Sequence, residues 1–115
     1  LILNYRLFDK YIRGNILSEK KIKVTVKYLG YFRALTDKAE ESIEINQDGT
    51  IKDVVELICG IHGDKLRNVF YKDGKIKESN ALPGFMVSGR GTSDVTKKLN
   101  DGETLAILNP IAGGS

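Results

Sequence analysis

His62 and Cys59 are the one histidine and the one thiol of this sequence, three residues apart beside Gly60 and Gly63. A cysteine and a histidine within reach of each other can make a thiolate nucleophile. Cys59, however, continues an apolar run of helical period that turns toward a core, where a thiol stays protonated and inert, so it reads as structural. Neither residue has another Cys or His at metal-ligand spacing, and neither a metal site nor an internal disulfide is expected. The carboxylates are scattered over faces expected to be solvated. Gly84, Gly89 and Gly91 interrupt a strand instead of leading one into a helix, so no phosphate-cradling loop is implied. Lys72, Lys75 and Lys77, broken by Asp73 and balanced by Glu78, have the look of a solvated hairpin.

The remaining candidate is the segment Asn109-Pro110-Ile111-Ala112-Gly113-Gly114-Ser115, which follows directly on a buried-type strand. Pro110 cannot donate to a ladder and releases the chain from a sheet. Ile111 and Ala112 keep a small apolar foothold. Gly113 and Gly114 have no side chains, so their backbone can pass a channel too narrow for other residues. Fully extended, Pro110 to Gly114 would reach about 16 to 18 Å, enough to enter a neighbouring protein's active site. A terminal glycine offers an unhindered carboxylate that is unreactive until ATP converts it to an acyl-adenylate, after which sulfur or an amine can attack. Gly-Gly-Ser is equally the composition of a flexible linker.

The elements that would position this tail follow from periodicity. Ile22, Val24, Val26 and Tyr28 alternate with Lys23, Thr25 and Lys27, which predicts a half-buried strand. Tyr31, Phe32 and Leu35 form one helical turn. Ile43 and Ile45 alternate with Ser42, Glu44 and Asn46 in a second strand before the turn signal Asp48-Gly49. Thr50 is a helix N-cap with Asp53 three residues on, and Ile51, Val54, Val55, Ile58 and Ile61 repeat at three- and four-residue steps until Gly60 to Gly63 end the helix. Asp64 caps a shorter helix carrying Leu66, Val69 and Phe70, and Asp73-Gly74 marks a turn. A third strand spans Phe85 to Ser88, Gly91 to Asn100 is a polar connection, and Asp101-Gly102 turns the chain into a last strand, Thr104 to Leu108. The order strand, strand, helix, strand, strand suits a sheet packed on one main helix, an α+β domain.

Composition sets the class. The chain has 115 residues, 41% hydrophobic and 29% charged, the proportions of one ordinary globular domain. A domain this short buries only about 60 to 68% of its unfolded surface, which leaves little room for a deep active-site cavity and favours a role as substrate or partner. No run approaches the roughly 18 apolar residues of a membrane span, and the first residues lack the order of a signal peptide, so a cytoplasmic protein is expected. The net charge of +3 lies entirely in residues 1–21, where Arg6, Lys10, Arg13, Lys20 and Lys21 face Asp9 and Glu19; the remaining 13 basic and 13 acidic residues cancel. No nucleic-acid footprint is implied. Three regions result: an extension at 1–20, with Leu3, Leu7, Phe8, Tyr11 and Ile12 at helical spacing, either a helix covering an apolar patch or a loosely docked arm; a domain at 21–109; and the tail at 110–115. The extension opens on Leu, which leaves open a fragment, an unusual start or an appended segment.

Together these pieces resemble the MoaD/ThiS family of ubiquitin-like sulfur carriers, especially the small subunits of molybdopterin synthase. Ile22-Lys23-Val24-Thr25-Val26-Lys27-Tyr28 with Phe32-Arg33-Ala34-Leu35-Thr36 is similar to the family's first strand and following turn, and Thr50 to Leu57 to its helix start. Met86-Val87-Ser88-Gly89-Arg90 resembles its valine-asparagine-glycine-arginine strand end. The run from Leu99 to Gly114 carries an acidic-glycine turn, an apolar strand, a proline and the glycine pair in the family's order. The resemblance covers Ile22 to Gly114 and implies a β-grasp fold with a four- to five-stranded mixed sheet. It also implies adenylation of Gly114 by an E1-like, MoeB-like enzyme that uses ATP, so that no cofactor is bound by the chain itself. Conversion to a thiocarboxylate and delivery of sulfur inside a MoaE-like large subunit would follow. Gly113, Ala112, Ile111 and Pro110 would be the inserted tail, and Phe32, Phe85 and Met86 the docking contacts. A protein modifier, or a carrier for thiamine or transfer-RNA thiolation, would use the same tail. Two features depart from the pattern. Ser115 follows the glycine pair and blocks the reactive carboxylate, so either a protease removes it or this copy is inactive, and the connection from Gly91 to Lys98 is shorter than usual.

Overall fold

A computed structural model of the chain describes residues 20–109. The extension, apart from Lys20, and the tail from Pro110 lie outside the described residues.

Strand β1, Lys21–Tyr28, keeps the predicted alternation: Ile22, Val24, Val26 and Tyr28 are buried while Lys21, Lys23 and Lys27 face water. Helix α1, Tyr31–Thr36, turns the chain back into β2, Glu40–Asn46, which pairs antiparallel with β1. Register sets Ile22 opposite Ile45 and Val24 opposite Ile43, so both apolar rows share one face.

Gly49 is buried where the chain leaves β2. A Cβ built there would lie 2.6 Å from Ile45 Cδ1 and 2.9 Å from the Asn46 carbonyl oxygen, which explains the glycine by close approach. Helix α2, Ile51–His62, starts in a reciprocal capping box: the Thr50 amide donates to Asp53 Oδ2 at 2.8 Å and the Asp53 amide to Thr50 Oγ1 at 3.3 Å. Its inner stripe of Ile51, Val54, Val55, Ile58 and Cys59 covers the sheet. Gly60 does not end this helix but sits inside it, and the stop is Gly63 at φ 83°. Gly63 also stands before helix α3, Asp64–Phe70, so Asp64 is its first residue and not its cap. These glycines give opposite expectations. Gly49→Ala should destabilise the domain by about 1–3 kcal/mol through overpacking. Gly60→Ala, exposed with nothing within 4 Å of the new Cβ, should stabilise it by up to about 1 kcal/mol. Urea midpoints of the two variants check the pair.

Tyr71–Lys72 (β3) and Lys75–Ile76 (β4) form a two-stranded hairpin across Asp73-Gly74, both at positive φ as a type I′ turn requires. After a short 3₁₀ turn at Ser79–Ala81 come β5, Gly84–Val87, and β6, Arg90–Thr92, joined by Ser88-Gly89 at φ 51° and 80°. The β6 stretch was expected to be connection. It is an edge strand with exposed Arg90 and Gly91, and so carries no apolar alternation to reveal it. Strand β7, Thr104–Leu108, completes a five-stranded sheet in the order β2-β1-β7-β5-β6, parallel to β1 and antiparallel to β5. Leu99, 2% exposed, pins the preceding connection, and its amide donates to the Gly49 carbonyl at 2.9 Å. The sheet on α2 and α3 is the β-grasp architecture that the resemblance implies.

Candidate functional site

The tail's root is built by the middle of the sheet. In β7, Leu105 and Ile107 are fully buried, and the strand is paired on both sides, by β1 and by β5. The Leu29 amide donates to the Ile107 carbonyl at 3.0 Å, so pairing continues almost to the last residue of β7. Asn109 is exposed and is the last described residue. A segment attached there leaves from the central strand of the sheet, which fixes its starting point. The tail candidates Pro110, Ile111, Ala112, Gly113 and Gly114 lie outside the described residues.

The three docking candidates are not brought together. Phe32, 1% exposed, and Phe85, 2% exposed, are core residues on either side of Phe70, with ring centroids 6.3 Å and 6.1 Å from it. They belong to the core because the row of three rings fills the space between α1, α3 and β5, where burial of large aromatic area is worth most. Met86 alone is half-buried, on the open face of the sheet opposite Ala106 and Gly91. Next to Ala106 on that face, Lys27 borders this small apolar spot.

Cys59 is fully buried, and burial pushes its thiol up to about 11. Its structural reading agrees with that placement. His62 is turned elsewhere: its Nε2 lies 2.5 Å from Glu41 Oε2, which also accepts the Tyr28 hydroxyl at 2.5 Å. The Tyr28 and His62 rings meet edge-on at 5.7 Å. Glu41 was expected on a solvated face, yet its side chain is only 10% exposed. The signal was present in β2, since Glu41 continues the inward row of Ile43 and Ile45 and stands opposite Val26. Burial acts to raise the Glu41 pKa, but the hydrogen bonds from Tyr28 and His62, with Lys38 adding a weaker one, hold it below the usual carboxylate range. Burial first, then the hydrogen bond to Glu41 and after it the Glu41 charge, push Tyr28 far up, so its hydroxyl stays a donor. This cluster ties β1, β2 and the end of α2 together.

Because Glu41 titrates lower in the folded chain, its contribution is present above the unfolded value near 4.5 and is lost as pH falls through the folded value. Glu41→Gln should cost about 1–3 kcal/mol at neutral pH. The gap to the unaltered chain should narrow on acidification below about pH 4.5, measured by urea titrations. A constant gap across that range would remove the ionised carboxylate from the account.

Among the described residues no group of acidic, histidine or cysteine side chains could hold a metal ion, and no helix is long and apolar enough to cross a membrane. No family model and no curated protein matches the chain. Solved structures do. A Haloferax volcanii protein determined in solution is 22% identical, with a TM-score of 0.67 over 82% of this chain and 88% of its own. The small archaeal modifier protein 1 of Methanosarcina acetivorans is 18% identical, with a TM-score of 0.66 over 83% of this chain and 99% of its own. The Pyrococcus furiosus protein assigned as molybdopterin converting factor, subunit 1, is 27% identical, with a TM-score of 0.64 over 78% of this chain and 99% of its own. All share the β-grasp fold, and the 27% identity to the converting-factor subunit supports the chain's likeness to MoaD/ThiS-like ubiquitin-like proteins.

Proposed function

We propose that the chain is a sulfur carrier of molybdopterin-synthase type, working through Gly114 once Ser115 has been removed. The observation that carries this reading is the glycine pair that follows the central strand of a β-grasp sheet after the short run Asn109 to Ala112. The 27% identity to the Pyrococcus furiosus converting-factor subunit, over 99% of that protein, supports the cofactor-synthesis branch.

In the proposed sequence the Gly114 carboxylate attacks the α-phosphorus of ATP in a MoeB-like E1 enzyme, and pyrophosphate leaves. Hydrosulfide then attacks the acyl carbon and displaces AMP to give the thiocarboxylate, whose sulfur passes to a pterin precursor inside a MoaE-like large subunit while water restores the Gly114 carboxylate. Pro110, Ile111, Ala112 and Gly113 form the inserted stretch, and Met86 with its neighbours on the open sheet face makes the docking contact. The test is to incubate a form ending at Gly114 with the E1-like enzyme, ATP and a sulfur donor, and to look by mass for replacement of one terminal oxygen by sulfur. No such product, under conditions that charge a known carrier, would sink the reading.

A further inference from the structure

Beside the root of the tail lies a groove of about 660 Å³ between α1, α3 and the segment from Asn80 to Pro83. Leu35, Val69, Leu82 and Pro83 give it an apolar wall. Leu35 and Val69 are only partly buried and pack on the margin of the core, so part of this wall faces water. Lys65 and Lys77 line it as well, and among the described residues its lining holds no carboxylate. Asn109 also lines it, which sets the groove where the tail begins.

An apolar strip with two cations selects its occupant. A basic segment would bring like charges together. A wholly apolar one would desolvate the ammonium groups without a partner. A segment with carboxylates beside an apolar side chain satisfies both features, burying the apolar group on Leu35 and Val69 and pairing its acids with Lys65 and Lys77. We propose that this groove is a docking site for an acidic, apolar-anchored segment of the protein that receives the tail. Such a protein must cover the surface around Asn109, so tail and groove are engaged together and each contact raises the effective concentration of the other. The inference rests on the tail reading only in naming that partner; the groove's preference comes from its own residues.

The test titrates the isotope-labelled full chain with two peptides of equal length, one bearing a Leu-Phe pair between glutamates and the other the same pair between lysines. The acidic peptide should move the amide signals of Lys65, Val69, Lys77 and Ala81, and the basic one should not. A Lys65→Glu, Lys77→Glu double variant should weaken the acidic peptide about tenfold, and added salt should weaken it in the unaltered chain. Equal response to both peptides, or shifts centred elsewhere, would overturn the proposal. So would groove signals that move when Pro110 to Ser115 are deleted without peptide, since the occupant would then be the chain's own tail. With the E1-like enzyme, the double variant should need about tenfold more carrier for half-maximal adenylation at an unchanged saturating rate. Acidic-peptide binding by a chain that is never adenylated would remove the tail reading and leave the groove standing.

Discussion

A chain ending at Gly114, given ATP, a sulfur donor and its E1-like enzyme, gains sulfur at its terminal carboxyl, whereas the chain ending at Ser115 gains none. The contrast is expected to be all or nothing because adenylation needs a free carboxylate on the residue that reaches the α-phosphate. With Ser115 in place the Gly114 carbonyl is part of a peptide bond, and the carboxylate one residue further on carries a side chain and overshoots the catalytic position. A displacement of about 1 Å can cost roughly a hundredfold in rate, and one residue of extended chain moves the reacting atom by about 3.3–3.6 Å. Gly114→Val in the shorter form should lower the rate of adenylation by about a hundredfold or more for the same reason. Pyrophosphate release and intact mass measure the two steps separately. Sulfur gained by the Ser115 form without loss of the serine would place the chemistry elsewhere. Recovery of Gly-Gly remnants on lysines of other proteins would instead favour the modifier alternative.

The second large effect separates core from contact surface. Phe85→Ala should destabilise the domain by about 3–5 kcal/mol, because a 2% exposed ring stacked on Phe70 leaves a cavity that β5 cannot collapse to fill. A loss of that size consumes much of the stability of a domain this small, so the variant is expected to be largely unfolded near body temperature. Met86→Ala, one residue along the same strand, should cost only about 1 kcal/mol, since its side chain is already partly exposed to water. Its effect should appear in partner binding: about tenfold more carrier needed for half-maximal adenylation, with the saturating rate kept. Chemical denaturation and carrier-concentration curves on the two variants give the comparison. Equal loss of stability in both would place Met86 in the core and remove the open sheet face as a contact surface.

Elements with strong periodicity are legible in the sequence. The alternation from Ile22 to Tyr28, the capping box at Thr50 and Asp53, and the apolar run from Thr104 to Leu108 each encode a local geometry in residue type, and each occurs at its expected place. The helix end was legible as the stretch Gly60 to Gly63, but not which glycine makes it: Gly60 weakens the helix without ending it, and Gly63, at positive φ, breaks the helical path. Strand β6 was invisible because an exposed edge strand is held by backbone pairing, which leaves no mark on side-chain pattern.

What the sequence by itself determined about this protein is therefore its local grammar: which stretches alternate, where helices begin, and that a glycine pair follows the last apolar strand. What only the tertiary structure decided is which of those residues meet. It drew Phe32 and Phe85 inward around Phe70, leaving Met86 at the surface. It brought Glu41 to His62 across 21 positions and assembled a two-lysine groove beside Asn109 from segments far apart in the chain. Periodicity describes how a segment is shaped, but contact between distant segments depends on the parallel pairing of β1 with β7, and that pairing is a property of the whole sheet.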